Sequence, residues 1–299
     1  MSTIGKLHNL TEADWKRIPE VAGRIGHPTF DFDISIASDG NKFIQVENKG
    51  SAVENNIYKP STVSHHYSSI KVKKECLRVQ GNSNLFYGTI GVIDNLPENP
   101  AKVFLVDPPA DFINLNPKKY KLLARLYYYL EEFHSIGVKR KIIEALSRRI
   151  QEISESPDFA RFDNKPLDYE YPVAYHLLME GKMFAAIDYN EAFGKFFIIE
   201  SRNEVFPYLL AYPKALMKLI LSQKFDDILS YQYDPAFIKE KVNIILRIGK
   251  SDVVNFEYIE KLGFRLDERR GRYFEASYYC NVKHSKCGRL FGQLTNFKD

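Results

Sequence analysis

The chain has 299 residues, of which 44% are hydrophobic and 27% are charged, and its formal net charge is +4. This profile is typical of a globular protein and excludes a disordered or low-complexity chain. Three cysteines are too few for a disulfide framework and favour a reducing compartment. The N-terminus lacks the apolar core of a secretory signal, and no segment approaches the roughly 18 apolar residues of a membrane helix. We therefore expect a cytoplasmic protein with no membrane partner.

The first predicted elements are a helix and a hairpin. Apolar residues at helical spacing predict a helix over 11–26, which Pro19 is expected to bend. Alternating apolar and polar residues predict a strand over 30–37, and its return strand covers 42–49. An Asp-Gly pair at 39–40 supplies the positive φ angles that a tight turn needs.

The predicted elements indicate an α/β (α+β) fold with a central mixed β-sheet flanked by helices. Segment 154–172 is rich in Ser, Pro, Asp and Asn without periodicity, and it marks the predicted boundary between domains at 1–155 and 165–299. The other predicted elements are a helix at 61–80, strands at 85–94 and 102–107, helices within 117–153, a second hairpin near 183–200, a helix near 213–229, an apolar segment at 242–248, a short helix at 254–262, and Tyr- and Phe-rich segments at 272–281 and 288–297.

The first hairpin carries the residues with the clearest chemical meaning. Asp31 and Asp33 share one face of the first strand, while Gln45, Glu47 and Lys49 share one face of the return strand. Pairing of the strands about the turn is expected to bring these polar faces together. Carboxylates beside a lysine suit phosphodiester hydrolysis, because Mg²⁺ takes hard oxygen ligands and activates water while an ammonium group stabilises developing charge.

The order of elements resembles the PD-(D/E)XK nuclease superfamily, which includes type II restriction endonucleases, junction resolvases and repair nucleases. The shared pattern is a helix, a strand carrying Asp, a return strand carrying Glu-x-Lys, a helix and further strands. It covers roughly residues 11–107 and matches Asp33 (or Asp31), Glu47 and Lys49, with Asn48 as the variable residue.

The resemblance implies a restriction-endonuclease-like catalytic domain within 1–155, followed by an α+β region for DNA recognition or dimerisation. It implies Mg²⁺ bound by Asp33, Glu47 and the Asn48 carbonyl, with Asp31 as a neighbour or as the alternative ligand, and Lys49 as the catalytic lysine. It also implies that a basic helix borders the DNA. The basic residues on that helix are Lys71, Lys73, Lys74 and Arg78.

We therefore expect a Mg²⁺-dependent endonuclease of the restriction type that acts on double-stranded DNA. Enzymes that cut both strands commonly act as two-fold dimers, so a homodimer is expected. Two alternatives stay open. One is a repair or junction-resolving nuclease on the same core, and the other is a non-catalytic nucleic-acid-binding or interaction protein whose hairpin only mimics the motif.

Two further patterns compete with the first hairpin. Asp188 and Glu200 in the second hairpin are spaced much as Asp33 and Glu47 are, but Arg202 replaces the lysine and is a poor base. This hairpin is interpreted as structural or DNA-contacting, with a decayed repeat or the true site left open. Near the C-terminus three potential zinc ligands occur where a structural site needs four, which favours two hairpin cysteines and a surface histidine. They are Cys280, His284 and Cys287.

Overall fold

The computed structural model divides into two compact units, a first unit Met1–Tyr127 and a second unit Tyr128–Asp299. Helices and β-sheets are mixed throughout, in agreement with the predicted α+β class. The division falls ahead of segment 154–172, and the domain boundary at that segment stays a prediction. The structure describes residues 2–16, 36–53, 61–76, 85–106, 116–167, 178–180, 183–187, 192–201, 204–234, 237–247, 265–266 and 273–295.

The first unit contains a four-stranded mixed sheet in the order β1-β2-β3-β4. Helix α2 connects β2 to β3, and these two strands pair in parallel, as a helical crossover allows. The pairs β1–β2 and β3–β4 are antiparallel. The elements of this unit are α1 (Ser2–Leu7), a 3-10 turn (Glu12–Trp15), β1 (Ile36–Ser38), β2 (Phe43–Val53), α2 (Ser61–Cys76), β3 (Leu85–Asp94), β4 (Lys102–Val106) and the start of α3 (Pro117–Ser135).

The return strand is longer than the sequence predicted. Gly50 and Ser51 were expected to end it, but β2 continues to Val53 because its parallel ladder with β3 extends to Asp94. The predicted helix at 11–26 is described only as far as its 3-10 turn, and the rest of it lies outside the described residues. Residues 30–35 of the predicted first strand also lie outside them.

Both faces of the first sheet are covered at least in part. On one face, Ile44 and Val46 of β2 pack with residues of the N-terminal segment such as Ile4 and Leu10. On the other face, Ile90 and Val92 of β3 pack on helix α2 through Val63 and Ile70. The strand β2 therefore lies inside the unit, with β1 and β3 on either side.

The second unit contains an antiparallel sheet that closes on itself. Six strands follow in the order β11-β7-β6-β5-β8-β10, and a further pairing of β10 with β11 completes the ring. Among the described residues, the short β9 pairs with β10 alone. The remaining elements are α4 (Arg140–Glu155), a 3-10 turn (Phe159–Phe162), β5 (Met183–Ile187), β6 (Ala192–Ser201), β7 (Glu204–Pro213), α5 (Lys214–Ser222), α6 (Phe225–Ser230), β8 (Phe237–Arg247), β9 (Arg265–Leu266), β10 (Tyr273–His284) and β11 (Leu290–Thr295).

Alternate residues of each strand point into this closed sheet. The enclosed side chains are mostly small or branched and form one cluster. The intervening residues point outwards, and some of them are covered, as Phe133 of α3 covers Tyr212 with their rings 5.9 Å apart. The cluster inside the ring consists of Ala185, Ile187, Ala192, Leu209, Ala211, Val242, Ile244, Cys280, Val282 and Leu290, with Phe196 at its margin.

Strand β7 is an element that the sequence analysis missed. It contains Pro207 and ends at Pro213, and proline normally argues against a strand. Pairing of β7 with β11 begins at Tyr208. Among the described residues, Pro207 therefore has a paired strand only on its β6 side, where it is opposite Ile198. The helix predicted near 213–229 begins only after β7 and is two helices, because Gln223 takes a left-handed conformation and ends α5.

The segment that follows α4 packs against α5 and α6 within the second unit. The Leu167 N–H donates to the Leu221 carbonyl over 2.9 Å, and the Asp163 carboxylate accepts from the Phe225 N–H over 2.9 Å. Earlier in the chain, Gly137 at φ +85° separates α3 from α4. None of the helices that the structure describes has both the length and the apolar character to span a bilayer.

Candidate functional site

The turn between β1 and β2 forms as the Asp-Gly pair predicts. Asp39 Oδ1 accepts hydrogen bonds from the main-chain N–H groups of Asn41 and Lys42, each over 2.8 Å. Gly40 has a φ of +99°, which a residue with a side chain rarely adopts. Ser38 Oγ accepts from the Gly40 N–H and donates to the Pro117 carbonyl over 2.8 Å, so the turn is anchored to the start of α3.

The Glu-x-Lys motif lies in the interior of β2. Glu47, Asn48 and Lys49 are opposite Gly88, Thr89 and Ile90 of β3 in the parallel ladder. The side chains of Asn48 and Lys49 are half-buried. Thr89 Oγ1 donates to Asn48 Oδ1, so the variable residue of the motif is held by the neighbouring strand. This bond restrains the β2 backbone between Glu47 and Lys49.

Several predicted site residues lie outside the described residues. Asp31, Asp33 and Arg78 are among them, and so are the side chains of Glu47, Lys73 and Lys74. Lys71 is exposed on helix α2, where the sequence placed it. The structure therefore places the backbone of the motif and one lysine of the basic helix, while the meeting of the carboxylates stays a prediction.

The register of the hairpin bears on the expected meeting of its polar faces. Gln45 pairs with Ile36, and Ala37 pairs with Ile44. By alternation along the sequence, Gln45 shares a face with Glu47 and Lys49, whereas Ile36 belongs to the face opposite Asp31 and Asp33. At the described end of the hairpin the two polar faces are therefore opposite. A shared ion requires a one-residue shift of the alternation, such as a β-bulge, between Ile36 and the aspartates.

A group of polar residues near the hairpin, of which Tyr87 is buried while His8 and Asp39 are half-buried, was not predicted from the sequence. His8 Nε2 is 2.9 Å from the Tyr87 hydroxyl, and His8 Nδ1 is 3.5 Å from Asp39 Oδ2. The imidazole thus joins the N-terminal segment to both the turn and β3. Since the partners are 31 and 79 positions from His8 in the chain, no local pattern indicates this contact.

An ion pair between Asp14 and Arg125 is fully buried in the first unit. Arg125 Nε lies 2.6 Å from Asp14 Oδ1, and its Nη2 lies 2.8 Å from Oδ2. Nearby, burial lowers the pKa of the Lys121 ammonium, while Asp14 raises it and the Arg125 charge lowers it further. The spacing of Thr11 and Asp14 is that of a capping box. This local pattern indicates a role for Asp14 at a helix start, but it does not indicate the pairing with Arg125.

Of the three predicted residues of the second hairpin, the structure describes one. Glu200 lies on β6 opposite Val205 of β7, whereas Asp188 and Arg202 lie outside the described residues. Its interpretation as a structural or DNA-contacting hairpin stays a prediction.

The three candidate zinc ligands near the C-terminus have different surroundings. Cys280 is enclosed by the ring of strands, whereas Cys287 Sγ lies 3.1 Å from both the Tyr128 hydroxyl and Ser285 Oγ. His284 is buried beside the ring of Tyr233, not on the surface as predicted, and burial lowers its pKa. Its Nε2 has no hydrogen-bond partner among the described residues.

A polar network connects helix α3 to the turn between β10 and β11. The Arg289 guanidinium and the Tyr212 hydroxyl both donate to the Glu132 carboxylate. Burial and the hydrogen bond to Glu132 raise the pKa of Tyr212. Burial alone lowers the pKa of Arg289, but its hydrogen bonds to Glu132 and Tyr212 outweigh that effect and raise it. Each charged group has its partner here, so we interpret the network as structural.

The described part of the chain holds no group of three or more His, Cys, Asp or Glu side chains placed to bind a metal ion. Comparisons with protein-family models, with curated proteins and with solved structures gave no significant match. The candidate site therefore stands on the position of the motif within the first sheet and on the chemistry of its residues.

Proposed function

We propose that the chain is a Mg²⁺-dependent DNA endonuclease whose site is built on the β1–β2 hairpin, and that it belongs to the restriction type. The observation that supports this most is the position of Glu47-Asn48-Lys49 within β2. Strand β2 has a hairpin partner on one side and, through helix α2, a parallel neighbour on the other. This succession of strand, return strand, helix and further strands is the order that the resemblance to the PD-(D/E)XK superfamily implies.

The donor chemistry suits the proposed ion. The carboxylates of Asp33 (or Asp31) and Glu47, with the main-chain carbonyl of Asn48, are hard oxygen ligands of the kind Mg²⁺ prefers. When bound, Mg²⁺ supplies a Lewis acid and a water of lowered pKa. Lys49 is proposed to orient that water and to donate a hydrogen bond to a phosphate oxygen as charge develops.

Double-stranded DNA is the proposed substrate, and helix α2 is proposed to lie beside it. Lys71 is exposed on this helix, and Lys73 and Lys74 follow it two and three residues later in the helix. Arg78 comes shortly after the helix. Each cation that neutralises a phosphate strengthens binding by releasing counterions, so this part of the proposal predicts a marked loss of affinity with added salt.

Lys49→Ala and Glu47→Ala should each lower Mg²⁺-dependent cleavage of plasmid DNA by at least a hundredfold, because each removes an interaction that acts on the developing charge. Cleavage is measured by gel electrophoresis with plasmid and with branched DNA, in Mg²⁺ and in chelator. Discrete fragments favour a restriction enzyme, whereas a preference for branched DNA without defined fragments favours a repair or junction-resolving nuclease.

Matched controls separate the site from general charge loss. Lys42→Ala in the exposed turn and Glu98→Ala in the exposed β3–β4 connection remove one charge each from the same unit and should leave cleavage unchanged. Equal cleavage by Lys49→Ala and Lys42→Ala would contradict the site. No cleavage of any substrate by the parent chain would favour the second candidate, a non-catalytic nucleic-acid-binding protein. The pairing of Ile36 with Gln45 supports this candidate, because it places the polar faces of the two hairpin strands on opposite sides of the sheet.

A homodimer belongs to the same proposal, and β4 is the edge we propose for it. In the described part of the chain β4 has a neighbour only on its β3 side. Val103 is 68% exposed and Leu105 is 47% exposed, beside Ile93 at 65%. An open strand edge with exposed apolar residues is a template for pairing. Antiparallel pairing of two copies about Phe104 places Val103 opposite the partner's Leu105, so the apolar surfaces match without opposing like charges.

Val103→Asp should convert the dimer to a monomer, since two-fold pairing places the new carboxylates in the apolar row of the interface. The association state is measured by sedimentation over a range of concentrations. Leu7→Asp, at a residue that is 61% exposed on α1, is the matched control and should leave the dimer intact. A parent chain that stays monomeric, or a Val103→Asp dimer of unchanged affinity, would refute this interface.

A further inference from the structure

Three aromatic side chains form a compact cluster on the outside of the closed sheet in the second unit, and the rings of Phe197 and Phe291 in it are 6.3 Å apart. The rings of Tyr208 and Phe291 are 5.6 Å apart with an interplanar angle of 12°, and those of Tyr208 and Phe197 are 5.8 Å apart at 23°. Phe291 is 42% exposed, and Phe197 and Tyr208 are half-buried. We call this cluster, together with the residues paired with it on the neighbouring strands, the aromatic wall.

The register of the strands defines the wall as two rows across β6, β7, β11 and β10. The first row has two apolar residues between two lysines, whereas the second row has two aromatic residues followed by two amides. Because strands are about 4.8 Å apart, the lysines at the two ends of the first row have α-carbons on the order of 14 Å apart. The first row is Lys195, Leu210, Phe291 and Lys283, and the second row is Phe197, Tyr208, Gln293 and Asn281.

The wall is more exposed than the outward residues that lie nearer the helices. Outward residues nearer the helices, such as Phe193 and Tyr212, are fully buried. At the wall, Lys195, Lys283, Asn281 and Gln293 are all exposed, and the described side chains of the two rows include no carboxylate. Positive charge beside open aromatic rings is complementary to an anionic partner that carries planar groups.

We propose that the aromatic wall binds single-stranded DNA. Unpaired bases present their faces to aromatic side chains, and Phe291, which is 42% exposed, offers its ring to such a base. Lys195 and Lys283 then contact phosphates on either side, and the amides of Asn281 and Gln293 contact base edges. Paired bases are already covered by their neighbours, so a duplex gains only the phosphate contacts.

The choice of DNA rests on the proposed nuclease function, whereas the choice of a single strand rests on the wall. The wall lies entirely on strands of the second unit, and none of its residues belongs to the Glu47–Lys49 motif. The chain then carries two separable DNA-binding functions, one for the duplex and one for the unpaired strand.

The test is fluorescence anisotropy of the full chain with labelled oligothymidylate, oligouridylate and a mixed-sequence duplex, in chelator so that no strand is cut. Phe291→Ala should weaken binding of oligothymidylate roughly ten-fold or more, and Phe291→Tyr, which keeps the ring face, should retain it. Lys283→Gln should lower the salt dependence by about 0.7 in the logarithmic slope, the value for one phosphate contact on a single strand.

Two control variants match these changes elsewhere on the chain. Leu96→Ala alters an apolar residue of the β3–β4 connection that is 43% exposed, and Lys218→Gln removes an exposed charge from α5. Both should bind oligothymidylate like the parent chain. An equal loss of duplex and oligothymidylate binding in Phe291→Ala, a preference for oligouridylate, no binding of oligothymidylate, or equal losses in wall and control variants would each overturn the proposal.

The two proposals can fail separately. Cleavage of plasmid in Mg²⁺ is assayed on the same preparations. Binding of oligothymidylate through the wall without any cleavage would sink the nuclease function alone. Cleavage that depends on Lys49, without single-strand binding, would sink the aromatic wall alone.

Discussion

Arg125→Met is expected to lower the free energy of unfolding of the first unit by about 3–5 kcal/mol. The Arg125 and Asp14 side chains are both inaccessible to solvent and joined by two hydrogen bonds of 2.6 and 2.8 Å. Methionine replaces the apolar part of the arginine but leaves the Asp14 carboxylate buried without its cation. The bonds that remain to this carboxylate come from the Thr11 N–H and hydroxyl, over 2.8 and 3.2 Å.

A second substitution tests whether the loss arises from the stranded charge. Asp14→Asn combined with Arg125→Met removes both charges and keeps an acceptor for the Thr11 N–H, so it should recover much of the stability. Trp15 is the only tryptophan of the chain and follows Asp14 directly, so its fluorescence reports urea unfolding of this unit. A double variant no more stable than Arg125→Met would contradict the explanation.

The control lies on the same helix. Lys118 is an exposed basic residue of α3, and Lys118→Met should change the free energy of unfolding by less than about 0.5 kcal/mol. A similar loss in Lys118→Met and Arg125→Met would show that the helix tolerates methionine poorly and that the buried pair is not the cause.

Sequence patterns predicted the local elements of the first unit well. Strand β3 has the predicted bounds, and the Asp-Gly turn forms where the pair occurs, because alternation and turn chemistry are properties of neighbouring residues. The partnership of Asp14 with Arg125 joins residues 111 positions apart, and no local pattern carries such a contact. The same holds for His8 and Tyr87, which are 79 positions apart.

For the candidate site, the sequence indicated the strand of the motif but not its register. Period 2 placed Glu47 and Lys49 on one face of a strand, and β2 has that strand's position. Which face of β1 meets them depends on the number of residues in the turn, and a change of one residue reverses every side chain. The described pairing of Ser38 with Phe43 leaves four residues in the turn. This number sets the register in which Ile36, and not a residue of the aspartate face, pairs with Gln45.

The closure of the second sheet was beyond local reasoning. It depends on pairing of β10 with both β8 and β11, and of β11 with β7, which are distant in the chain. The composition of 272–281 and 288–297 predicted Tyr- and Phe-rich segments. Their assignment as β10 and β11 depends on their pairing with β8, with β7 and with each other, which composition does not encode. Once the ring is known, its small enclosed residues become interpretable, and Gly194 is the clearest of them.

Gly194→Ala should lower the free energy of unfolding of the second unit by about 3 kcal/mol, at the upper end of the usual cost of overpacking. A Cβ at this residue would lie 1.9 Å from the Leu210 carbonyl oxygen and 2.5 Å from the Ala211 α-carbon. Both obstacles are backbone atoms of β7, so no side chain can rotate away. Relief requires β6 and β7 to separate, and that breaks hydrogen bonds of a ladder that closes the ring.

Hydrogen exchange of peptides from β6 and β7, with thermal unfolding followed by circular dichroism, measures this effect where it arises. The matched control is Gly50→Ala on β2, where an added Cβ has no atom within 4 Å and the substitution should be neutral or stabilising by up to about 1 kcal/mol. If Gly194→Ala exchanges and melts like Gly50→Ala, then β6 and β7 are not in such close contact. Faster exchange confined to β6 and β7 supports the ring, because a closed sheet cannot move one strand outwards without opening the ladder on one of its sides.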